Sequence, residues 1–161
     1  LRYKDQAESF AERFSEYKNV SFEVVDTPRD IVRDADVVIS AITYTEGDLC
    51  SDGDFPEGIL VVPIHTRGFT NCDLFFDKVF ADDEGHVCHF GNFKKFRSFA
   101  EVSDVVNGRA RGRESDRERI LAYNIGLSIH DIFFASKIYE MLEGKNLREI
   151  DLESPNEKFW I

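Results

Sequence analysis

The sequence predicts an α/β fold built on an open, mostly parallel sheet. Three observations carry that expectation. Strand-length and helix-length segments alternate along the chain. Two short runs, Asp36–Ala41 and Ile59–Ile64, are apolar almost throughout, as strands covered on both faces are. An amphipathic segment opens the chain and a long helical one lies near its end.

From Lys4 to Tyr17, Ala7, Phe10, Ala11 and Phe14 recur at helical spacing while Asp5, Glu8, Glu12, Arg13 and Glu16 fill the other face, which reads as a surface helix. Val20–Val25 reads as a strand. Thr27-Pro28 supplies a helix cap and a proline suited to the first turn, so a short helix should run to about Asp34. The apolar run Asp36–Ala41 follows as a strand. Asp52-Gly53 and Pro56-Glu57-Gly58 punctuate a loop before the Ile59–Ile64 strand, with Pro63 tolerated near its end. Leu74–Ala81 reads as a further strand closed by the turn signal Asp82-Asp83-Glu84-Gly85, and Ser98–Val106 as a short helix. This alternation implies a sheet of the dinucleotide-binding kind.

Composition narrows the function classes. At 161 residues, 42% hydrophobic with 15 Phe, the chain suffices for one domain with a sizeable core. A formal charge of −11 and a pI near 4.8 argue against nucleic acid or an anionic membrane as partner. No apolar run reaches the roughly 18 residues needed to span a bilayer, and a cytoplasmic location is expected. Cys50, Cys72 and Cys88 show no Cys-x-x-Cys spacing, so reduced thiols are expected rather than disulfides. His86, Cys88 and His89 would fall on opposite faces of a strand, and no metal site is expected. The start at Leu1, with Met141 the sole methionine, suggests an excised part of a longer protein.

One stretch is more specific than composition. Gly108-Arg109-Ala110-Arg111-Gly112-Arg113-Glu114-Ser115-Asp116-Arg117-Glu118 is followed by Tyr123-Asn124-Ile125-Gly126 and a long amphipathic segment. This arrangement resembles the C-terminal signature of the ornithine cyclodeaminase and mu-crystallin family of NAD(P)-dependent enzymes. The order of Ala7-Glu8-Ser9-Phe10-Ala11, Asp34-Ala35-Asp36-Val37-Val38-Ile39-Ser40, a Pro-x-Gly before a strand and the Arg-rich loop is also similar to that family. The likeness covers most of the chain and is weakest from about Phe69 to Phe99. Read locally, Ser115-x-x-Glu118 is a capping box starting one helix to about Glu143, with Gly126 inside it at a cost of about 1 kcal/mol. The resemblance implies instead a strand at Ile120–Tyr123, a turn at Asn124–Gly126 and then the helix, and that version is favoured.

By the same resemblance Leu1-Arg2-Tyr3 matches the end of a second strand. The fold class is then an incomplete Rossmann-like, doubly wound sheet lacking the first βα unit, with residues 1–145 as a partial dinucleotide-binding domain and residues 146–161 as a C-terminal tail. No Gly-x-Gly-x-x-Gly occurs, so the pyrophosphate cradle would lie upstream. The tail ends in Phe159-Trp160-Ile161, an apolar terminus expected to dock.

Candidate site residues follow the strands, where open α/β sheets bind ligands. Ser40, Ala41, Ile42 and Thr43 follow the first apolar run and match the family's cofactor-side turn, with Thr43 and Thr45 alternatively serving only local backbone. Arg2 falls where an arginine would meet the 2′-phosphate of NADP, or is simply solvated. His65-Thr66-Arg67-Gly68 follows the next strand, where the family's Gly-Gly-Asp carries the catalytic carboxylate. Arg67, or Thr66 with a one-residue slip, replaces that Asp, which puts the cyclodeaminase reaction in doubt. Arg67 stays protonated but could clamp a substrate carboxylate, and His65 could move a proton. Asn124 could cap the following helix and meet the nicotinamide carboxamide, and Gly126 would allow close backbone approach. Arg109, Arg111 and Arg113 are expected to pair with neighbouring acids rather than bind an anion. Phe90, Phe93, Phe96 and Phe99, three apart, are expected to pack in the core rather than stack on bases.

The resemblance implies part of a cytoplasmic oxidoreductase using NAD or NADP on an amino acid or imino acid, a dehydrogenase or ketimine reductase rather than a true cyclodeaminase. It implies a homodimer paired through a separate substrate domain, and a segment inactive on its own. The alternative is a non-enzymatic Rossmann-like interaction domain that meets a partner through its Phe-rich segment and apolar terminus. A Gly-x-Gly-x-x-Gly immediately before Leu1 would decide for the enzyme.

Overall fold

The computed structural model describes residues 4–42, 45, 47–66 and 69–145. It divides into two compact units, residues 1–126 and 127–161. The first is an α/β unit whose five strands are β1 (Val37–Ser40), β2 (Leu60–Pro63), β3 (Lys78–Ala81), β4 (Phe99–Glu101) and β5 (Ile120–Tyr123). They form one sheet in the order β1-β2-β5-β3-β4, and every pairing is parallel. The helices of this unit are α1 (Lys4–Arg13), α2 (Pro28–Val32), α3 (Glu84–Val87) and α4 (Val102–Val106).

The last strand in sequence is thus the middle one in space, and its residues are buried from end to end. Side chains alternate across the pleat. Val61, Val79, Ala81, Leu121 and Tyr123 join the larger core with Val32, Phe55, Phe69 and Phe76, whereas Phe80, Ile120 and Ala122 face the other side against Val102 and Val105. α2 begins as the sequence predicts, with Thr27 Oγ1 accepting the Asp30 amide at 3.3 Å and Pro28 in the first turn.

The structure corrects several expectations. Val20–Val25 is not a strand. Its alternation is strand-like, but a strand needs a hydrogen-bonded neighbour, and among the described residues none flanks it. The Asp36–Ala41 run forms β1 but is not covered on both faces, since Val37 is 54% and Ile39 67% exposed at the sheet edge. Only the last four residues of Leu74–Ala81 are strand, because Asp73–Phe75 folds as a 3-10 turn that drops Phe76 into the core. Ser98–Val106 splits into β4 and α4. His86 and Cys88 do not lie on a strand: α3 carries His86, and the chain continues from Cys88 into turns. Phe90, Phe93, Phe96 and Phe99 do pack on the core, Phe93 against both Phe96 and Phe99 and Phe90 edge-on to Tyr123, although the first three lie on turns and Phe99 opens β4, so that they share no single helix.

Between the two versions of the segment after Arg113, the strand wins. β5 occupies Ile120–Tyr123 and a separate helix, α5, runs from Ser128 to Leu142. Taken by itself, α5 is not amphipathic as expected: Ile129, Ile132, Phe134, Ile138, Tyr139 and Met141 are all exposed and spread around its circumference. Residues 146–161, including the Phe159-Trp160-Ile161 terminus, lie outside the described residues. No described helix is long and apolar enough to cross a membrane.

Candidate functional site

Because all five strands are parallel, the residues that follow them gather at one end of the sheet, where ligands of open α/β folds bind. Ser40 closes β1 and Pro63 closes β2, paired in register, and the Ile64 amide donates to the Ser40 carbonyl at 2.8 Å. This carries His65 alongside Ser40. Ser40 Oγ and His65 Nε2 are 2.7 Å apart, and the half-buried imidazole lies nearly parallel to the buried Phe69 ring with centroids 6.0 Å apart. A hydroxyl can donate to the neutral ring and accept from the imidazolium, so this bond survives a change of protonation.

Asn124 follows β5, on the other side of β2 from β1. Its amide donates to the Pro63 carbonyl at 3.0 Å, which fixes it to the strand leading into His65. Among the described residues its side-chain amide makes only a long 3.4 Å contact to the Ala122 carbonyl. Asn124 does not cap α5 as expected, because that helix starts four residues later with an extended Leu127 at its cap. Gly126 has φ of +106°, with no atom within 4 Å of where a Cβ would stand, so its backbone conformation rather than crowding requires glycine.

Beside Ser40 opens an apolar cleft of about 440 Å³ whose lining includes Val25, Ile31, Ile39, Ala41, Ile42 and Phe69. Ser40, Ala41, His65, Asn124 and Gly126 therefore share the carboxyl-terminal end of the sheet. Arg2, Thr43 and Arg67 lie outside the described residues. The sequence reading missed Asp82, which follows β3 and accepts the Gly126 amide through Oδ2. Only the structure reveals it, since the two residues are 44 apart in sequence.

The conspicuous arginines are elsewhere. Arg109 pairs with Asp104 at 2.7 Å, Arg111 with Glu114 at 2.6 Å, and Arg113 donates to the Glu118 carbonyl at 2.6 Å. The loop closes over Lys78, the buried first residue of β3, whose Nζ donates to the Gly112 carbonyl at 2.6 Å and to Glu114 at 2.7 Å and lies 3.2 Å from Glu118. The Lys78 and Arg111 hydrogen bonds hold the Glu114 carboxyl down at about 2. Arg117 grips Glu57 with two bonds of 2.7 Å, joining this loop to the Pro56-Glu57-Gly58 turn before β2. The Lys78 cluster and the Arg117–Glu57 pair lie at the amino-terminal ends of the strands and clamp loops, whereas the Arg109–Asp104 pair ties the loop to α4.

No group of three or more His, Cys, Asp or Glu side chains able to hold a metal occurs among the described residues. His86 bonds to Asp82 at 3.1 Å. Burial pushes the Cys50 thiol up to about 11 and that of Cys72 up to about 12, which leaves both protonated and unreactive at neutral pH.

The family model described as ornithine cyclodeaminase/mu-crystallin matches residues 1–146. Among curated relatives, the nodulation efficiency protein NfeD of Rhizobium meliloti is 30% identical over 74% of this chain and 39% of its own length. The N-((2S)-2-amino-2-carboxyethyl)-L-glutamate dehydrogenase of Staphylococcus aureus is 26% identical over 91% of this chain and 47% of its own length. Among solved structures, the Thermococcus litoralis Delta(1)-pyrroline-2-carboxylate reductase in complex with NADH and L-proline superposes with a TM-score of 0.71 at 23% identity, covering 84% of this chain and 46% of that one. That likeness is one of fold, a Rossmann-type α/β sheet. The chain spans less than half the length of these proteins.

Proposed function

This chain belongs to the ornithine cyclodeaminase/mu-crystallin family, and from that premise we propose that it is part of an NAD(P)-dependent oxidoreductase acting on an amino acid or imino acid. The observation that carries the reading is the Ser40–His65 pair, a hydroxyl and an imidazole 2.7 Å apart at the ligand-binding end of a parallel sheet. Residues 1–145 then form part of the dinucleotide-binding domain and residues 146–161 its tail. The whole protein is a cytoplasmic homodimer, paired through a separate substrate domain, as the family resemblance implies.

The described residues suit part of the cofactor. The cleft beside Ser40 and Ala41 is apolar enough for a flat ring system, and Asn124 offers a loosely held amide at the adjoining strand ends. Thr43 would supply a further hydroxyl to the cofactor. Arg2, with its fixed positive charge, would favour the 2′-phosphate of NADP. A pyrophosphate cradle of glycines is not in this sequence.

The nicotinamide, when bound, supplies or removes a hydride at the substrate α-carbon. The chain's own residues handle the rest. His65 gives a proton to the imine nitrogen as the C=N bond is reduced, and takes one from the amine in the reverse direction. Ser40 holds the ring through both states, and the Phe69 face limits its tilt. Arg67 pairs with the substrate carboxylate. An arginine there cannot activate water, so the reaction is dehydrogenation or ketimine reduction rather than cyclodeamination.

The test uses the full-length protein with NADH or NADPH and a panel of cyclic and acyclic α-imino acids. Nicotinamide oxidation is expected with at least one of them. His65→Gln is expected to lower kcat about 10²- to 10⁴-fold, the usual contribution of a general acid. No turnover across the panel, or full kcat in the variant, sinks the proposal.

A further inference from the structure

Asp82 stands one residue past the end of β3. Its amide donates to the Tyr123 carbonyl at 2.9 Å, extending the β3–β5 ladder by one step. Its side chain is only 6% exposed, and its two oxygens face three nitrogens. Oδ2 accepts the Gly126 amide at 2.5 Å; Oδ1 accepts the Asp83 amide at 2.9 Å and lies 3.1 Å from His86 Nδ1. Open space surrounds Gly126, so no packing at the position of a side chain fixes its +106° φ. The turn after β5 is therefore pinned at two points: Asn124 to the Pro63 carbonyl of β2, and Gly126 to a carboxylate following β3.

We infer that Asp82 is a positioning residue for Asn124: by taking the Gly126 amide it sets the path of the chain leaving β5, and so holds Asn124 at the cofactor end of the sheet. A carboxylate suits this task better than a neutral acceptor, since bonds from N–H to an ionised oxygen are shorter and stronger and two oxygens serve three donors at once. The inference rests on the reading that Asn124 meets the nicotinamide nucleotide, but the contact itself can be tested without one.

Two measurements on the full-length protein separate the claims. In the nucleotide-free protein, Asp82→Asn is expected to move the Gly126 amide proton upfield, because its charged acceptor is gone. In steady-state assays the same variant is expected to raise KM for the nucleotide about tenfold, the effect of losing one charge-assisted hydrogen bond, while kcat at saturation stays near the wild-type value. A general loss of structure would lower kcat or the fraction of active protein instead. An unmoved Gly126 amide overturns the contact, and a moved amide with unchanged KM overturns the positioning role. Wild-type protein that binds no nicotinamide nucleotide removes the functional reading, and the positioning role with it. Should Asp82→Asn fail to fold, His86→Gln removes one partner of Oδ1 from the more exposed side; it must raise KM in the same direction by a smaller factor, and an unchanged KM overturns the inference.

Discussion

Replacing Lys78 by Met tests whether the Gly/Arg-rich loop is held from beneath by one ammonium group. Lys78 is 8% exposed, and Met keeps most of its apolar stem while removing the charge. Lost with it are the 2.6 Å bond to the Gly112 carbonyl, the 2.7 Å pair with Glu114 and the 3.2 Å pair with Glu118. A single neutral bond of this kind is worth about 1 kcal/mol, and breaking a fully buried pair costs about 3–5 kcal/mol. The partners here are partly solvated, so we expect a loss between those limits, about 2–3 kcal/mol. For a chain of this size that is a fall in Tm of roughly 5–10 °C. The pH dependence should change as well. Glu114 and Glu118 are both held below the usual carboxylate range, Glu114 by the Lys78 hydrogen bond first and Glu118 by the Glu114 amide first. Depressed carboxylates give stability that is present above their unfolded value of about 4.3 and is lost as pH falls through the folded one. Wild-type protein should therefore weaken between about pH 4.5 and 2, and the variant should weaken less over that window. Thermal or urea unfolding at neutral and acidic pH reads both effects. A Tm within about 2 °C of wild type with the same acid dependence would refute the reasoning and leave the Arg117–Glu57 pair as the true fastener.

Gly58→Ala should cost at least about 2 kcal/mol, because Gly58 has φ of +82° and an added Cβ would collide with the Asp116 carbonyl oxygen; an unchanged denaturation midpoint would contradict this. Native-state alkylation followed by peptide mass mapping should find Cys88, which is exposed, labelled well before Cys50 and Cys72, whose thiols are buried and raised. Equal labelling of all three would mean that the core around Phe69 and Cys72 opens readily.

Elements whose cause is local were legible. The Thr27-Pro28 start of α2 needs only its own residues, and the apolar runs that became β1 and β2 needed only length and composition. Elements whose cause is a neighbour were not. Val20–Val25 has a strand's pattern but, among the described residues, no strand beside it, whereas Leu74–Phe76 has a strand's composition and serves instead to seat Phe76 against Phe55, 4.9 Å between centroids. For β5 two local rules competed, a good capping box and a helix-weakening glycine, and only the family resemblance chose correctly.

The same division explains the site. Ser40 closes a strand and His65 and Asn124 follow one, and in a parallel sheet that alone assigns them to one end. The arginine loop was the most conspicuous feature of the sequence, yet it precedes β5, and the Pro-x-Gly turn precedes β2. Both must then lie at the opposite end, where they meet through Arg117 and Glu57. Strand polarity thus assigns a residue to an end of the sheet where unusual composition does not. It also shows why Asp82 escaped notice. It too follows a strand, but its carboxylate accepts from another strand's turn, and a bond across 44 residues leaves no periodicity or spacing to read.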